Sequence, residues 1–152
     1  SEIMAHDMKG KNVLDMGCGT SILAILARMC GATAVTAIDN DEWCVRNSLE
    51  NIALNHLDGI DVELGDAHTL ATKGPFDYII ANINRNILLE DMKHYVARMS
   101  PGAYLFVSGF FVVKTYFGVS FSKCNSCHSK VHTYFAALSV KVRSQIFNYV
   151  SS

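Results

Sequence analysis

Apolar residues along this chain alternate between two patterns. Short apolar-rich runs at residues 11–16, 34–38, 60–64, 78–83 and 104–108 predict five strands, the second of them buried. Between them, apolar positions recur every three or four residues. Ile22, Ile25, Leu26 and Met29 share one face of a helix that Gly31 is suited to end. A second helix over 41–56 begins at an Asn40 or Asp41 cap, turns Val45, Leu49 and Ile52 inward, and carries Glu42, Arg46 and Glu50 as a charged outer ladder. A third places Leu88, Met92, Tyr95, Val96 and Met99 on one face and stops at Ser100-Pro101-Gly102. Residues 1–9 read as the end of a helix stopped at Gly10, with Ile3, Met4 and Met8 apolar. Strand alternating with helix predicts an α/β fold, a doubly wound and mainly parallel sheet with right-handed crossovers.

Composition narrows the class. The chain has 152 residues, half of them hydrophobic, which suits one globular domain with a real core. Its net charge of −1 gives no general reason to expect nucleic acid as a partner. The charge is unevenly spread, however: all 14 acidic residues precede Met92, and seven of the 13 Lys and Arg follow it. Five irregularly spaced cysteines and no leader pattern predict reduced thiols in a cytoplasmic protein, and no apolar stretch approaches a membrane span.

Chemistry concentrates where the first run ends. Asp15-Met16-Gly17-Cys18-Gly19-Thr20-Ser21 joins a strand to a helix through a glycine-rich turn that exposes backbone N–H groups and lets a ligand approach. A dinucleotide fingerprint would need a glycine at the sixth position from Gly17, where Ile22 stands. An acid two residues before the first glycine suits a cationic amino-acid group better than a pyrophosphate. Further polar groups close the other strands: Asp39 the second, Asp66 the third, Asn82 the fourth. Ligands of open α/β sheets bind at those carboxyl ends.

Asp15-Met16-Gly17-Cys18-Gly19-Thr20 resembles the first motif of class I S-adenosylmethionine-dependent methyltransferases, whose sheet is Rossmann-like. Ala37-Ile38-Asp39-Asn40-Asp41, the Asn47, Glu50, Asn51 and Asn55 helix, and Ala81-Asn82-Ile83-Asn84-Arg85-Asn86 carry the resemblance to the ribosomal protein L11 methyltransferase family. It covers about residues 10–110. The resemblance implies S-adenosyl-L-methionine as cofactor and amino groups of ribosomal protein L11 as acceptors. It implies Asp15, Gly17 and Gly19 at the methionine part, Asp39 at the ribose, and Asp66 at the adenine amine. Asp41 is either a helix cap or a second ribose acceptor. Asn82 is the candidate catalytic residue, accepting a hydrogen bond from the incoming amine or the cofactor, though too weak a base to deprotonate it. Ser21 departs from the glycine usual at its position, and costs some backbone freedom. The family carries an N-terminal recognition domain and a glycine- and threonine-rich segment before its core. Both are missing here, so the chain is expected to be a catalytic-core fragment, with the alternative of a non-catalytic one. A methyltransferase acting on glutamine or nucleic-acid bases ranks behind, because Asn82-Ile83-Asn84-Arg85 lacks the Asn-Pro-Pro-Tyr prolines and aromatic.

Beyond Phe110 the resemblance breaks off. Residues 111–152 contain no acid, and read either as closing strands (112–117 and 139–143 have strand-like composition) or, by slight preference, as out-of-frame sequence. Cys124, Cys127, His128 and His132 have a spacing that zinc accepts, but one Cys-x-x-Cys without a second pair is weak, and no metal is expected.

Overall fold

The computed structural model describes residues 6–107, together with the backbone of strands 121–123 and 138–141. Five parallel strands form the body of a Rossmann-like sheet: β1 (Asn12–Met16), β2 (Ala34–Asp39), β3 (Ile60–Leu64), β4 (Phe76–Ala81) and β5 (Met99–Val107). Two short strands, β6 (Phe121–Lys123) and β7 (Leu138–Lys141), extend it, giving the order β3-β2-β1-β4-β5-β7-β6. β7 runs antiparallel to β5 and β6 antiparallel to β7. β7 falls on the strand-like composition at 139–143; the stretch 112–117 lies outside the described residues. The chain winds outward from β1 in both directions, so the switch point lies between β1 and β4.

Side chains alternate faces along each strand, and the sheet is covered on both. Leu14, Met16, Ile38, Ile79 and Leu105 point to one side, where Leu88 and Tyr95 of α3 (Arg85–Val96) and Leu70 of a 3-10 helix (Ala67–Thr72) pack on them. Val13, Val35, Ala37, Ile80 and Phe106 point to the other, under Ala24 and Ala27 of α1 (Ile22–Met29). α2 (Glu42–Leu54) lies against β2 and β3. Asp15 and Asp39 share the parity of Val13 and Ala37 and therefore face the α1 side.

Several expected helix faces are rotated. Ile22 and Met29 are 65% and 66% exposed, while the small Ala24 and Ala27 are fully buried, because a helix lying close on a sheet needs short side chains at the contact. Leu49 is likewise exposed at 52%, and its neighbour Ser48 is fully buried. Glu42, Arg46 and Glu50 are exposed as expected. Met99, assigned to the third helix by its period, instead begins β5 and pairs with Phe76, and Pro101-Gly102 sit within that strand beside a register shift. His6–Gly10 form a bend and turn, not a helix end, although Gly10 does adopt positive φ (+75°); residues 1–5 lie outside the described residues. The 3-10 helix after β3 has no counterpart in the hydrophobic pattern of the sequence.

Candidate functional site

The strand-end residues gather around the turn after β1. Gly17 and Gly19 both take positive φ, +67° and +57°, which glycine adopts without penalty. The Gly17 and Cys18 N–H groups donate to the Ile38 carbonyl at 2.8 and 3.1 Å, binding the turn to the end of β2. On the β4 side, Ile83 presses against Gly17: a Cβ there would stand 2.1 Å from Ile83 Cγ2. Gly19 is the opposite case, with nothing within 4 Å of where its Cβ would be.

Asp39 is the junction of three segments. Its Oδ2 accepts from Gly19 N–H at 2.8 Å, its Oδ1 from Asp41 N–H at 3.0 Å, and its main-chain carbonyl from Gly65 N–H at 2.8 Å. The turn, the start of α2 and the segment leading to Asp66 are thus tied to one nearly buried acid. Asp41 itself caps α2, accepting from Trp43 N–H at 2.8 Å. Asp66 caps the 3-10 helix, accepting from His68 N–H at 2.8 Å, with Thr69 completing a reciprocal capping box. Asn82 follows the last residue of β4 and is exposed. Asn84 caps α3 through Asn86 N–H at 2.9 Å.

Asp15 is set deeper than a ligand-facing acid would be. It is 1% exposed, and its Oδ2 accepts from Ala24 N–H in the first turn of α1 at 2.9 Å. Burial, offset in part by that N–H and reinforced by the neighbouring charge of Asp39, pushes its pKa up to about 7. Burial also raises the Cys18 thiol.

A family model described as "Ribosomal protein L11 methyltransferase (PrmA)" matches residues 2–117. The chain belongs to the ribosomal protein L11 methyltransferase family. The match runs past Phe110, where the motifs give out. A ribosomal protein L11 methyltransferase of Bacteroides thetaiotaomicron is 68% identical over 111 residues, covering 73% of this chain and 40% of the relative. The chain thus spans about 40% of the length of such a relative. Among solved structures, ribosomal protein L11 methylase from Lactobacillus delbrueckii subsp. bulgaricus superposes with a TM-score of 0.73 at 24% identity, over 93% of this chain and 74% of that one. Phosphoethanolamine N-methyltransferase 1 from Haemonchus contortus, solved with phosphoethanolamine and S-adenosylhomocysteine, gives a TM-score of 0.59 at 19% identity, over 68% of this chain and 23% of that one. These two likenesses show the class I methyltransferase fold.

Two features of this member of the L11 methyltransferase family escape motif reading. Ser21 lies in left-handed backbone at φ +58° and is fully buried, a conformation that glycine adopts more readily. Its Oγ donates to Ser48 Oγ at 2.7 Å. The other is Ile83, a residue of the fourth motif whose role against Gly17 only the fold reveals. Cys124, Cys127, His128 and His132 lie outside the described residues. Among the described residues, no group of three His, Cys, Asp or Glu side chains could hold a metal ion, and no helix is long and apolar enough to cross a membrane.

Proposed function

We propose that this chain is the catalytic core of an S-adenosyl-L-methionine-dependent enzyme that methylates amino groups of ribosomal protein L11 in the cytoplasm. The reading is supported by a family match whose motifs converge, at the carboxyl edge of the sheet, on a glycine turn held by Asp39. Residues 1–110 form the binding core in this reading, and 111–152 a divergent tail.

The donor set fits the cofactor. The open face of Gly19 leaves room for a ligand against main chain. Each Asp39 oxygen takes one N–H and keeps further acceptor capacity for the ribose hydroxyls. Asp66, exposed beside its cap, is suited to the adenine amine, and Asp41 lies close enough in sequence to share the ribose. Gly17 keeps the turn tight under Ile83. Asp15 acts from below, anchoring the first turn of α1 rather than meeting the ammonium group directly.

When bound, S-adenosylmethionine supplies a methyl group on a cationic sulfur, already activated for displacement. The chain's task is then alignment and exclusion of water. Asn82 accepts a hydrogen bond from the incoming amine and orients it. A lysine must lose its proton first, and an apolar surrounding lowers its pKa toward neutrality. Calorimetric titration of the full chain with S-adenosylmethionine tests the cofactor, and radiolabel transfer to purified ribosomal protein L11 tests the acceptor. Absence of binding at millimolar cofactor refutes the reading; binding without transfer favours a non-catalytic fragment.

A further inference from the structure

The buried face of α2 is polar where it meets the glycine turn. Ser48 is fully buried and its hydroxyl touches three groups of that turn. It donates to the Gly19 carbonyl at 2.9 Å, accepts from Ser21 Oγ at 2.7 Å, and lies 3.7 Å from Cys18 Sγ. A hydroxyl has one proton and two acceptor lone pairs. Ser48 gives that proton to Gly19, so the Cys18 thiol is the donor in the third contact. One helical turn on, Asn51 Nδ2 donates to the Thr20 carbonyl at 3.0 Å. Four successive turn residues, Cys18 to Ser21, are therefore held from one side of α2.

This clamp answers a strain. Left-handed backbone is unfavourable for a residue that carries a side chain, and Ser21 stands in it at φ +58°. The Ser21–Ser48 bond offsets that cost. Ser48 shares no atom with the open face of Gly19, so it acts on a ligand only through the turn.

Building on the methyltransferase reading, we infer that Ser48 is a positioning residue: it holds the glycine turn in its left-handed form and thereby sets the affinity for cofactor. Ser48→Ala in the full chain should weaken S-adenosylhomocysteine binding by calorimetry about tenfold, because a turn released from Ser48 populates other forms in the free chain and binding must restore the left-handed one. It should also raise hydrogen exchange at the Gly19 and Ser21 amides, which donate to Asp39 and Cys18, while α3 keeps its protection. Ser48→Cys, which retains a donor, should recover part of both. Ser21→Ala/Ser48→Ala should bind no worse than Ser48→Ala alone, since the two hydroxyls act as one unit. Unchanged exchange at the turn, unchanged affinity, or losses that multiply in the double variant would each overturn the inference. If the unaltered chain binds no S-adenosylhomocysteine, the methyltransferase reading fails by itself, and the exchange result still decides whether Ser48 holds the turn. Should Ser48→Ala fail to fold, Ser21→Ala breaks the Ser21–Ser48 bond from the other side while Ser48 keeps Gly19, and should raise exchange at the Ser21 amide with a smaller loss of affinity; unchanged exchange there would overturn the inference.

Discussion

Ile83 occupies the space that a side chain on Gly17 would need, with Cγ2 2.1 Å from the position of a Gly17 Cβ. The carboxyl ends of β1 and β4 are therefore in van der Waals contact across the switch point, and the turn after β1 has a ceiling as well as a floor.

Gly17→Ala should destabilise the chain by about 2–4 kcal/mol, combining the left-handed penalty with overpacking against Ile83. Gly19→Ala meets no such contact and should cost only the backbone term, about 1–2 kcal/mol. Urea denaturation of the two variants checks the ordering. Ile83→Ala in the Gly17→Ala background should recover part of the loss.

Asp39→Ala should weaken S-adenosylmethionine binding more than Asp41→Ala. The first removes the acceptor for the Gly19 and Asp41 N–H groups as well as for the ribose, a loss of about 1–3 kcal/mol for each unpaired buried group. The second removes the cap on α2 and should cost about 1 kcal/mol of stability with a smaller change in affinity. Calorimetry and denaturation on both variants separate the effects; equal affinity losses would contradict the ribose assignment to Asp39.

The buried Asp15 gives stability a definite pH dependence. Its pKa in the folded chain is raised to about 7, while in the unfolded chain it lies near the usual 3.8. The folded state binds the extra proton between those values, so this group's contribution is fully present below about pH 4 and is lost as pH rises through 7. Asp15→Asn carries no titrating proton. The stability of the unaltered chain relative to Asp15→Asn should therefore fall between pH 5 and pH 8 by an amount on the order of 2 kcal/mol. Urea midpoints of both proteins at the two pH values measure it, and a constant difference would contradict the burial argument.

Arg28 ties the end of α1 to the segment before β3. It donates to the Asp58 carbonyl at 2.7 Å, to the Ala32 carbonyl at 2.7 Å and to Asp58 Oδ1 at 2.9 Å. Only the last is an ion pair, and its carboxylate side is 95% exposed. Arg28→Ala should cost about 1–2 kcal/mol through the two carbonyl bonds and lost packing, whereas Asp58→Ala should leave thermal denaturation nearly unchanged.

The order of elements was readable from the residues alone. The central strands β1, β2 and β4 are covered on both faces and appear as mainly apolar runs. β3, at the sheet edge, has no buried residue and alternates Ile60, Val62 and Leu64 with Asp61 and Glu63, yet 60–64 matches it residue for residue. Gly31 after α1, a cap for α2 at Asn40 or Asp41 and the polar residues near the ends of the first four strands were also legible, because caps and left-handed turns constrain residue type locally. Helix faces were not. A repeat of three and four marks a stripe but not its partner, and at the sheet a short side chain wins over a long one: Ala24 and Ala27 are inside, Ile22 and Met29 outside. Met99 fits a helical period and a strand start equally well, and pairing with Phe76 decided between them. The site divides the same way. Its residue types and their places at strand ends were determined by the sequence, while tertiary structure alone decided that Asp15 turns inward to α1, that Asp39 joins three segments, and that Ser48 and Ile83 hold the turn. Those depend on distances between residues far apart in the chain, which hydrogen bonding and packing settle only once the sheet has brought them together.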